Sequence, residues 1–246
     1  MAYAAFAQVY DSLTQNVEYE KRAEYLCSLL SFGGVSGGIL LDLACGTGSL
    51  SVEFCRRGFE VIGVDSSPDM LSIARNKLCD HECGALLLCQ DMAELDLYGT
   101  VNCAVCALDS LNHITDEKKL RRAFERVSLF LEPGGVFVFD MNTLHKHESV
   151  LADNAFVYEA DGVFCAWRNA YAGRGRVDIC LDIFMCGRGG YERFTEEFSE
   201  QAYSEEFIKD CLCGAGFELL AVYDDMTLAG PRPDSERIYY TAKKSG

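Results

Sequence analysis

The stretch ILLDLACGTG, Ile39 to Gly48, decides the fold. Ile39, Leu40, Leu41 and Leu43 form a short continuous apolar run, the pattern of a parallel strand covered on both faces. It runs straight into a glycine-rich turn, and a helix is expected from about Gly48 to Arg57, ended by Gly58. Working outward, the same alternation recurs. Val61 to Asp65 reads as a second strand. Ser66, Ser67 and Pro68 then supply a helix cap and a first-turn proline, with Met70, Leu71, Ile73, Ala74 and Leu78 at helical spacing. Ala85 to Cys89 and Val101 to Leu108 read as the third and fourth strands. A helix from Asp116 to Leu131 leads through Pro133-Gly134-Gly135 into a fifth, Val136 to Met141. Five such alternations predict an α/β fold, a doubly wound, mostly parallel Rossmann-like sheet with helices on both faces. Phe217 to Tyr223 and Glu236 to Ala242 bring it to seven strands.

Two helices precede this unit, roughly Ala4 to Leu13 and Glu18 to Ser31. Between Thr143 and Tyr203 the helical period disappears. Ala155 to Ala160, Val163 to Ala172, Arg176 to Cys186 and Tyr191 to Ser199 read as antiparallel strands. They are joined at Asp161-Gly162, Gly173 to Gly175 and Gly187 to Gly190. Alternation alone leaves open whether they form a separate sheet. Ser204 then caps a helix through Cys213. The expected organisation is one unit made of residues 1–142 and 204–246, with 143–203 a β-rich insertion serving as a substrate lid.

The 246 residues, 49% hydrophobic and 24% charged, suffice for a proper core. A formal net charge of −16 is repelled by backbone phosphates, which argues against nucleic acid and anionic membranes as partners. The basic cluster Lys118, Lys119, Arg121 and Arg122 reads as a solvated helix face. No apolar run approaches the roughly twenty residues needed to span a bilayer. The N-terminal stretch lacks the marks of a signal peptide, so a cytoplasmic location is expected. The 13 cysteines are odd in number and scattered, so they read as small buried hydrophobes rather than a disulfide framework. Cys79, His81, Cys83 and Cys89 come nearest to a metal site, but no second pair stands at ligand spacing, and no metal is expected. Cys103 and Cys106 fall within one strand and should point to opposite faces.

Ligands of open α/β sheets bind at the carboxyl ends of the strands. Gly46 and Gly48 at the first strand tip remove Cβ atoms that would keep a cofactor from the backbone. Asp65, about twenty residues on, is placed to take both hydroxyls of a ribose. At the third tip, Gln90-Asp91-Met92 offers a carboxylate for an adenine amino group and a methionine to pack on the ring. These tips together describe a site for a substituted adenosine. A nicotinamide-dependent oxidoreductase shares the first two features. Its fingerprint wants a third glycine near position 51, which is Ser51 here, and it has no use for Asp91.

The LDLACGTG, VDSSPDML, QDM and LEPGGVFVFD runs resemble class I S-adenosylmethionine-dependent methyltransferases. Tyr3, Phe6, Tyr10-Asp11, Tyr19 and the Ala107 to Asn112 stretch are similar to a narrower group, small bacterial methyltransferases with a β-rich insertion after the fifth strand. The resemblance implies S-adenosylmethionine as cofactor. Asp42 and the backbone of Ala44 and Gly46 would hold its methionyl amino end over a floor made by Gly48. Asp65 would bind the ribose, with Ser66 or Met70 near the adenosine, and Asp91 and Met92 would read adenine. Leu108 would lie beside the methionyl group, and Tyr10 would reach over the sulfonium. The chain departs from the group at Arg22, where relatives carry tryptophan. It departs again at Phe198 and Gln201, where an E-x-H-x-x-R-x-Y stretch has histidine and arginine.

The implied reaction is an in-line methyl transfer to N or O of a small-molecule acceptor. A non-catalytic S-adenosylmethionine-binding module is the alternative. Tyr10, Asp109, Asn112 and His113 are the candidate bases, and Trp167 and Tyr203 could line a substrate pocket from the insertion. Enzymes that methylate exocyclic amines of nucleic-acid bases carry N/D-P-P-Y/F after the fourth strand. Leu108-Asp109-Ser110-Leu111 stands there instead, which again argues against a nucleic-acid substrate.

Overall fold

A computed structural model of the chain describes residues 2–187 and 189–246, with side chains from Phe6 onward; the Tyr3 side chain lies outside them. Two helices, α1 (Ala2–Leu13) and α2 (Tyr19–Gly33), lead into β1 (Ile39–Leu43), α3 (Ser49–Arg56), β2 (Glu60–Asp65), α4 (Pro68–Asp80) and β3 (Ala85–Cys89). Then come β4 (Val101–Cys106), α5 (Glu117–Phe130) and β5 (Leu131–Asn142). The chain closes with α6 (Glu205–Gly214), β10 (Phe217–Asp224) and β11 (Arg237–Lys244). Capping is local: the side chains of Ser67, Asp116 and Ser204 accept from backbone amides of α4, α5 and α6.

These strands form one seven-stranded sheet in the order β10-β11-β5-β4-β1-β2-β3. The five central and edge strands β1 to β5 run parallel, and β11 lies antiparallel to both neighbours. Strand order reverses between β1 and β4, which opens a crevice at their carboxyl ends. Both faces are apolar because both are covered. Leu120, Phe124 and Val127 of α5 and Ile208 and Leu212 of α6 pack on Phe137, Phe139 and Tyr240. On the other face Leu26 and Leu30 of α2 and Phe54 of α3 pack on Leu40, Val105, Val138 and Tyr239. Each such side chain, fully buried, contributes about 1.5–3 kcal/mol. Cys106 belongs to the first layer and Cys103 to the second, as residues three apart on a strand must.

Two boundaries differ from the sequence pattern. β4 ends at Cys106 rather than Leu108, because Leu108 (φ 60°) and Asp109 (φ 52°) take the left-handed conformation and turn the chain out of the sheet. β5 begins at Leu131, ahead of Pro133-Gly134-Gly135, since Leu131 already pairs with Val101 before a register shift admits the extra residues.

The segment between β5 and α6 builds its own antiparallel sheet from β6 (Ala155–Ala160), β7 (Val163–Gly173), β8 (Arg176–Gly187) and β9 (Gly190–Gln201), in that order. Its inner face, with Val177, Ile179 and Ile183, closes a third apolar cluster around Val9 of α1. Its outer face carries Arg168, Asp182 and Arg193. A wide helical turn, Lys146–Leu151, precedes it where the sequence shows no helical period. It is fixed from without: Leu151 and His147 are buried, and His147 is bonded to the Gly175 carbonyl. Among the described residues no helix is long and apolar enough to cross a membrane.

Candidate active site

The crevice is built from the strand tips. After β1 the chain turns through Ala44 (φ 59°), Gly46 (φ 54°) and Gly48 (φ 77°). A left-handed alanine costs about 1–2 kcal/mol, and fixed partners hold this turn. The Cys45 amide donates to the Val64 carbonyl at 3.0 Å. The Gly46 amide donates to Asp65 Oδ2 at 2.8 Å, while Asp65 Oδ1 accepts from the Ser67 amide at 2.8 Å. One carboxylate at the tip of β2 therefore ties the first turn to the start of α4. A Cβ on Gly46 would meet nothing within 4 Å, so its open side faces the crevice. A Cβ on Gly48 would meet Ala74 Cβ at 3.0 Å. A side chain at Gly48 would thus crowd the α3–α4 contact.

Two cavities meet at Ala44. One of about 40 Å³ is lined by Tyr10, Tyr19, Asp42, Gly46, Leu108 and Ser110, among others. The larger, about 260 Å³, is lined by Asp65, Ser66, Asp91, Met92, His113 and Lys119, among others. Helix α1 roofs the first. Asp11 accepts from Thr47 Oγ1 at 2.7 Å and pairs with Lys77 at 2.7 Å, which latches α1 to the β1–α3 turn and to α4.

Electrostatics differ sharply between the tips. Asp42 is 2% exposed, and burial pushes its carboxyl up to about 7 despite a 2.5 Å hydrogen bond from Ser51 Oγ. Burial also raises Asp65, against the pull of the Ser67 and Gly46 amides. Asp91 goes the other way: burial is outweighed by the hydrogen bond from Lys119 at 2.6 Å and the Ala93 amide at 2.9 Å. Lys119, read from sequence as part of a solvated face, therefore belongs to the larger cavity. Burial, then the neighbouring Tyr19 and Asp109, raise the Tyr10 phenol, so it stays protonated and is a donor rather than a proton acceptor.

Three of the four candidate bases are otherwise engaged. Asn112 is fully buried and bonds the Asn142 and Gln201 carbonyls (3.2 and 2.9 Å) while accepting from the Asn142 amide at 2.9 Å. It fastens the tips of β5 and β9 together. Asp109 is bound by Arg237 at 2.6 Å. Burial alone would raise its carboxyl, but Arg237, Lys146 and His113 outweigh it and hold it at about 2. His113, half exposed, faces the larger cavity. Met70 is buried in the first turn of α4 and lines neither cavity. Trp167 packs on Phe156 and Tyr158, and Tyr203 stacks on Phe207 with its hydroxyl on the Ile114 carbonyl. Neither lines the crevice.

Of the residues that depart from the family pattern, Arg22 bonds Tyr239 and pairs with Asp225 at 3.6 Å. Phe198 lies against His113, and Gln201 bonds the Arg174 and Ala202 carbonyls.

Sequence reasoning missed Asp140 and Arg237. Fully buried at the tip of β5, Asp140 accepts from the Leu108 amide at 2.7 Å and the Asp109 amide at 3.0 Å, which holds the left-handed turn that delivers Leu108 to the smaller cavity. Arg237 neutralises Asp109 and Asp140 together. The only sequence trace was a carboxylate ending an apolar strand.

Residues 40–135 match the methyltransferase domain family. YqeM of Bacillus subtilis (strain 168), named as a methyltransferase, is 32% identical over 248 residues, covering 100% of this chain and 98% of its own. The crystal structure of an S-adenosylmethionine-dependent methyltransferase from Clostridium acetobutylicum ATCC 824 is 34% identical and superposes with a TM-score of 0.91 over 100% of both chains. The chain belongs to the class I S-adenosylmethionine-dependent methyltransferases. The oxidoreductase and the non-catalytic module are thereby set aside: this methyltransferase is an enzyme, and S-adenosylmethionine is its cofactor. Over a shorter span, 54% of this methyltransferase and 52% of its relative, it is 31% identical to the dTDP-3-amino-3,6-dideoxy-alpha-D-glucopyranose N,N-dimethyltransferase of Streptomyces fradiae.

Proposed function

We propose that this enzyme methylates a small-molecule amine, with the cofactor across the two cavities and the acceptor under the insertion. The residues present suit the cofactor. Gly46 leaves its side of the crevice open, and Asp42 is a carboxyl that burial raises to about 7 and a neighbouring cation would hold ionised. Asp42 and the turn at Ala44 and Gly46 would hold the ammonium end. Asp65 and Ser66 would hold the ribose, Asp91 and Met92 the adenine, and Leu108 and Tyr10 would border the sulfonium. When bound, S-adenosylmethionine supplies a methyl group already activated on sulfur. The protein's work is then alignment, exclusion of water and removal of one proton.

The observation that carries the amine reading is the His113 and Asp116 side of the larger cavity, which the cofactor assignment leaves free. Glu200 of β9, its side chain only 6% exposed, lies behind His113 at 3.8 Å rather than on the cavity wall. An amine arriving as a cation is drawn to Asp116 on that side, and His113 is placed to take the proton it must lose before attack. The Streptomyces fradiae relative, which acts on an amino sugar by name, supports the same class. Residues 1–142 with 204–246 would form the cofactor unit and 143–203 the substrate lid. The thirteen unpaired cysteines favour a reducing, cytoplasmic setting.

The test is a panel of small amines and matched alcohols incubated with enzyme and S-adenosylmethionine, with release of S-adenosylhomocysteine measured. Turnover with amines and its loss in His113→Ala, by about a hundred-fold or more, are the expected results. Turnover with alcohols alone would overturn the amine reading.

A further inference from the structure

The position where a dinucleotide-binding fingerprint places its third glycine holds Ser51, and the cofactor assignment gives that residue no part. Ser51 is fully buried in the first turn of α3 and lines neither cavity. Its hydroxyl donates to Asp42 Oδ2 at 2.5 Å, the short distance of a hydroxyl bonded to a carboxylate. Among the described residues the Asp42 carboxyl has no other hydrogen bond, and Asp42 lines the smaller cavity.

In the sheet register Asp42 lies between Gly63 of β2 and Val105 of β4, so neither neighbour offers it a donor side chain or a cation. Leu40, two residues earlier on the same face, packs in the layer of α2 and α3, and the Asp42 side chain points into that layer too. The element that reaches it is α3, through Ser51. The terminal torsion of an aspartate is broad, so burial alone does not set the plane of its carboxyl. The Ser51 bond holds one oxygen against α3 and leaves the other for what enters the cavity. A glycine at position 51 supplies no such bond.

Other titratable groups surround the same carboxyl. Asp65 of β2, Cys45 beyond β1, Cys55 of α3 and Cys106 of β4 all interact with it, and Tyr10 of α1 and Tyr19 of α2 line the same cavity. Burial raises the three thiols and both phenols, so they stay neutral through pH 7. Burial also pushes Asp42 up to about 7 and Asp65 adds repulsion, while the Ser51 hydroxyl pulls the other way.

We propose that Ser51 is the positioning residue for Asp42: its hydroxyl holds one carboxyl oxygen so that the other meets the ammonium end of S-adenosylmethionine. Ser51 touches neither cofactor nor acceptor and acts through Asp42. Its role in binding rests on the reading of Asp42 as the partner of that ammonium, whereas its hold on Asp42 exists in the free enzyme.

The experiment pairs carboxyl titration with calorimetry in Ser51→Ala, which removes one oxygen and keeps a good helix former. In ¹³C-aspartate-labelled, cofactor-free enzyme, with Asp42→Asn for assignment, the Asp42 midpoint should move up from about 7 by about one pH unit or more. Affinity for S-adenosylmethionine at pH 7 should fall about five-fold or more, with the level part of its pH curve displaced upward. An unmoved Asp42 midpoint in the folded variant would overturn the proposal. So would unchanged affinity in Ser51→Ala beside a weakened Asp42→Asn, an outcome that leaves the Asp42 reading standing. Unchanged affinity in Asp42→Asn would overturn that reading and the proposal with it. A crystal structure of the wild-type complex with S-adenosylhomocysteine needs no variant. One Asp42 oxygen on Ser51 and the other toward the ammonium, directly or through one water, is expected; a carboxyl turned away from Ser51 overturns the proposal.

Discussion

Two arginine–aspartate clusters in this enzyme use the same chemistry in opposite settings. Arg237 lies between Asp109 and Asp140 at the strand tips of the seven-stranded sheet, with the three side chains 13%, 20% and 0% exposed. Arg168 and Arg193 flank Asp182 on the outer face of the insertion sheet, at 2.8 and 2.6 Å, with the arginines 59% and 58% exposed. The Arg193 distance matches that of Arg237 to Asp109, yet the two contacts do different work. The inner cluster holds a left-handed turn at the strand-tip crevice, and removing one partner strands a buried charge. In the outer cluster the two arginines are exposed while Asp182 beneath them is 11% exposed, and the cluster holds no turn at the crevice. Contact distance says little about worth; burial and what the contact holds in place decide it.

The largest expected effect tests the inner cluster. Arg237→Met should destabilise the fold by about 3–5 kcal/mol in urea titration, since two buried carboxylates lose their cation. The Asp109 carboxyl sits at about 2 in the folded protein, against about 3.9 unfolded. Its contribution is therefore complete above the unfolded value and is lost as pH falls from about 4 through about 2. That acid limb should shrink in the variant. A loss as small as the outer cluster's would erase the distinction.

Next comes Asp65→Ala, expected to weaken S-adenosylmethionine by about 1–3 kcal/mol in calorimetry. Unchanged affinity in a folded protein would remove Asp65 from the cofactor site. Asp42 gives a pH signature. Its carboxyl, pushed up to about 7 by burial, must lose its proton to pair with the cofactor's ammonium. Affinity should therefore rise with pH and level off above about 7, changing about ten-fold per unit below it. Asp42→Asn should flatten the curve, and a wild-type curve already flat would deny Asp42 the role. The smallest effect belongs to the outer face. Arg193→Met should cost about 0.2–1 kcal/mol, and the difference should vanish near about 1 M salt.

The strand-tip crevice was legible because its parts come in chain order. Asp42 stands next to last in β1, Asp65 ends β2 and Asp91 follows β3, each announced by an apolar run and a turn. What was not legible is what distant segments bring together. Arg237 reaches Asp140 across 97 positions, and Asn112 reaches Gln201 across 89. No local period encodes such pairings. Lys119 was misread because a helix face toward a cavity has the same charge pattern as one toward solvent. At Gly48 the structure adds a second reason for a glycine, since a side chain there would crowd Ala74 of α4. In the insertion the turns at Asp161-Gly162 and Gly187–Gly190 marked the hairpins, but the covered face depended on α1, whose Val9 returns to it from the other end of the chain.

The place of β11 bears on how the molecule is made. It is inserted between β5 and β10, and its Tyr239 and Tyr240 fill opposite layers of the core. The insertion's hairpins close over tight local turns. β5 instead waits for a partner that pairs Arg237 with Asn142, more than a third of the chain's length later. A nascent chain would thus carry β5 as an open, apolar edge until β11 leaves the ribosome. Long-range closure of this kind is slow, and such edges invite pairing with other chains. The step that completes the sheet is also the step that brings Arg237 to Asp109 and Asp140, so the crevice acquires its buried counter-charge only when the last strand locks in.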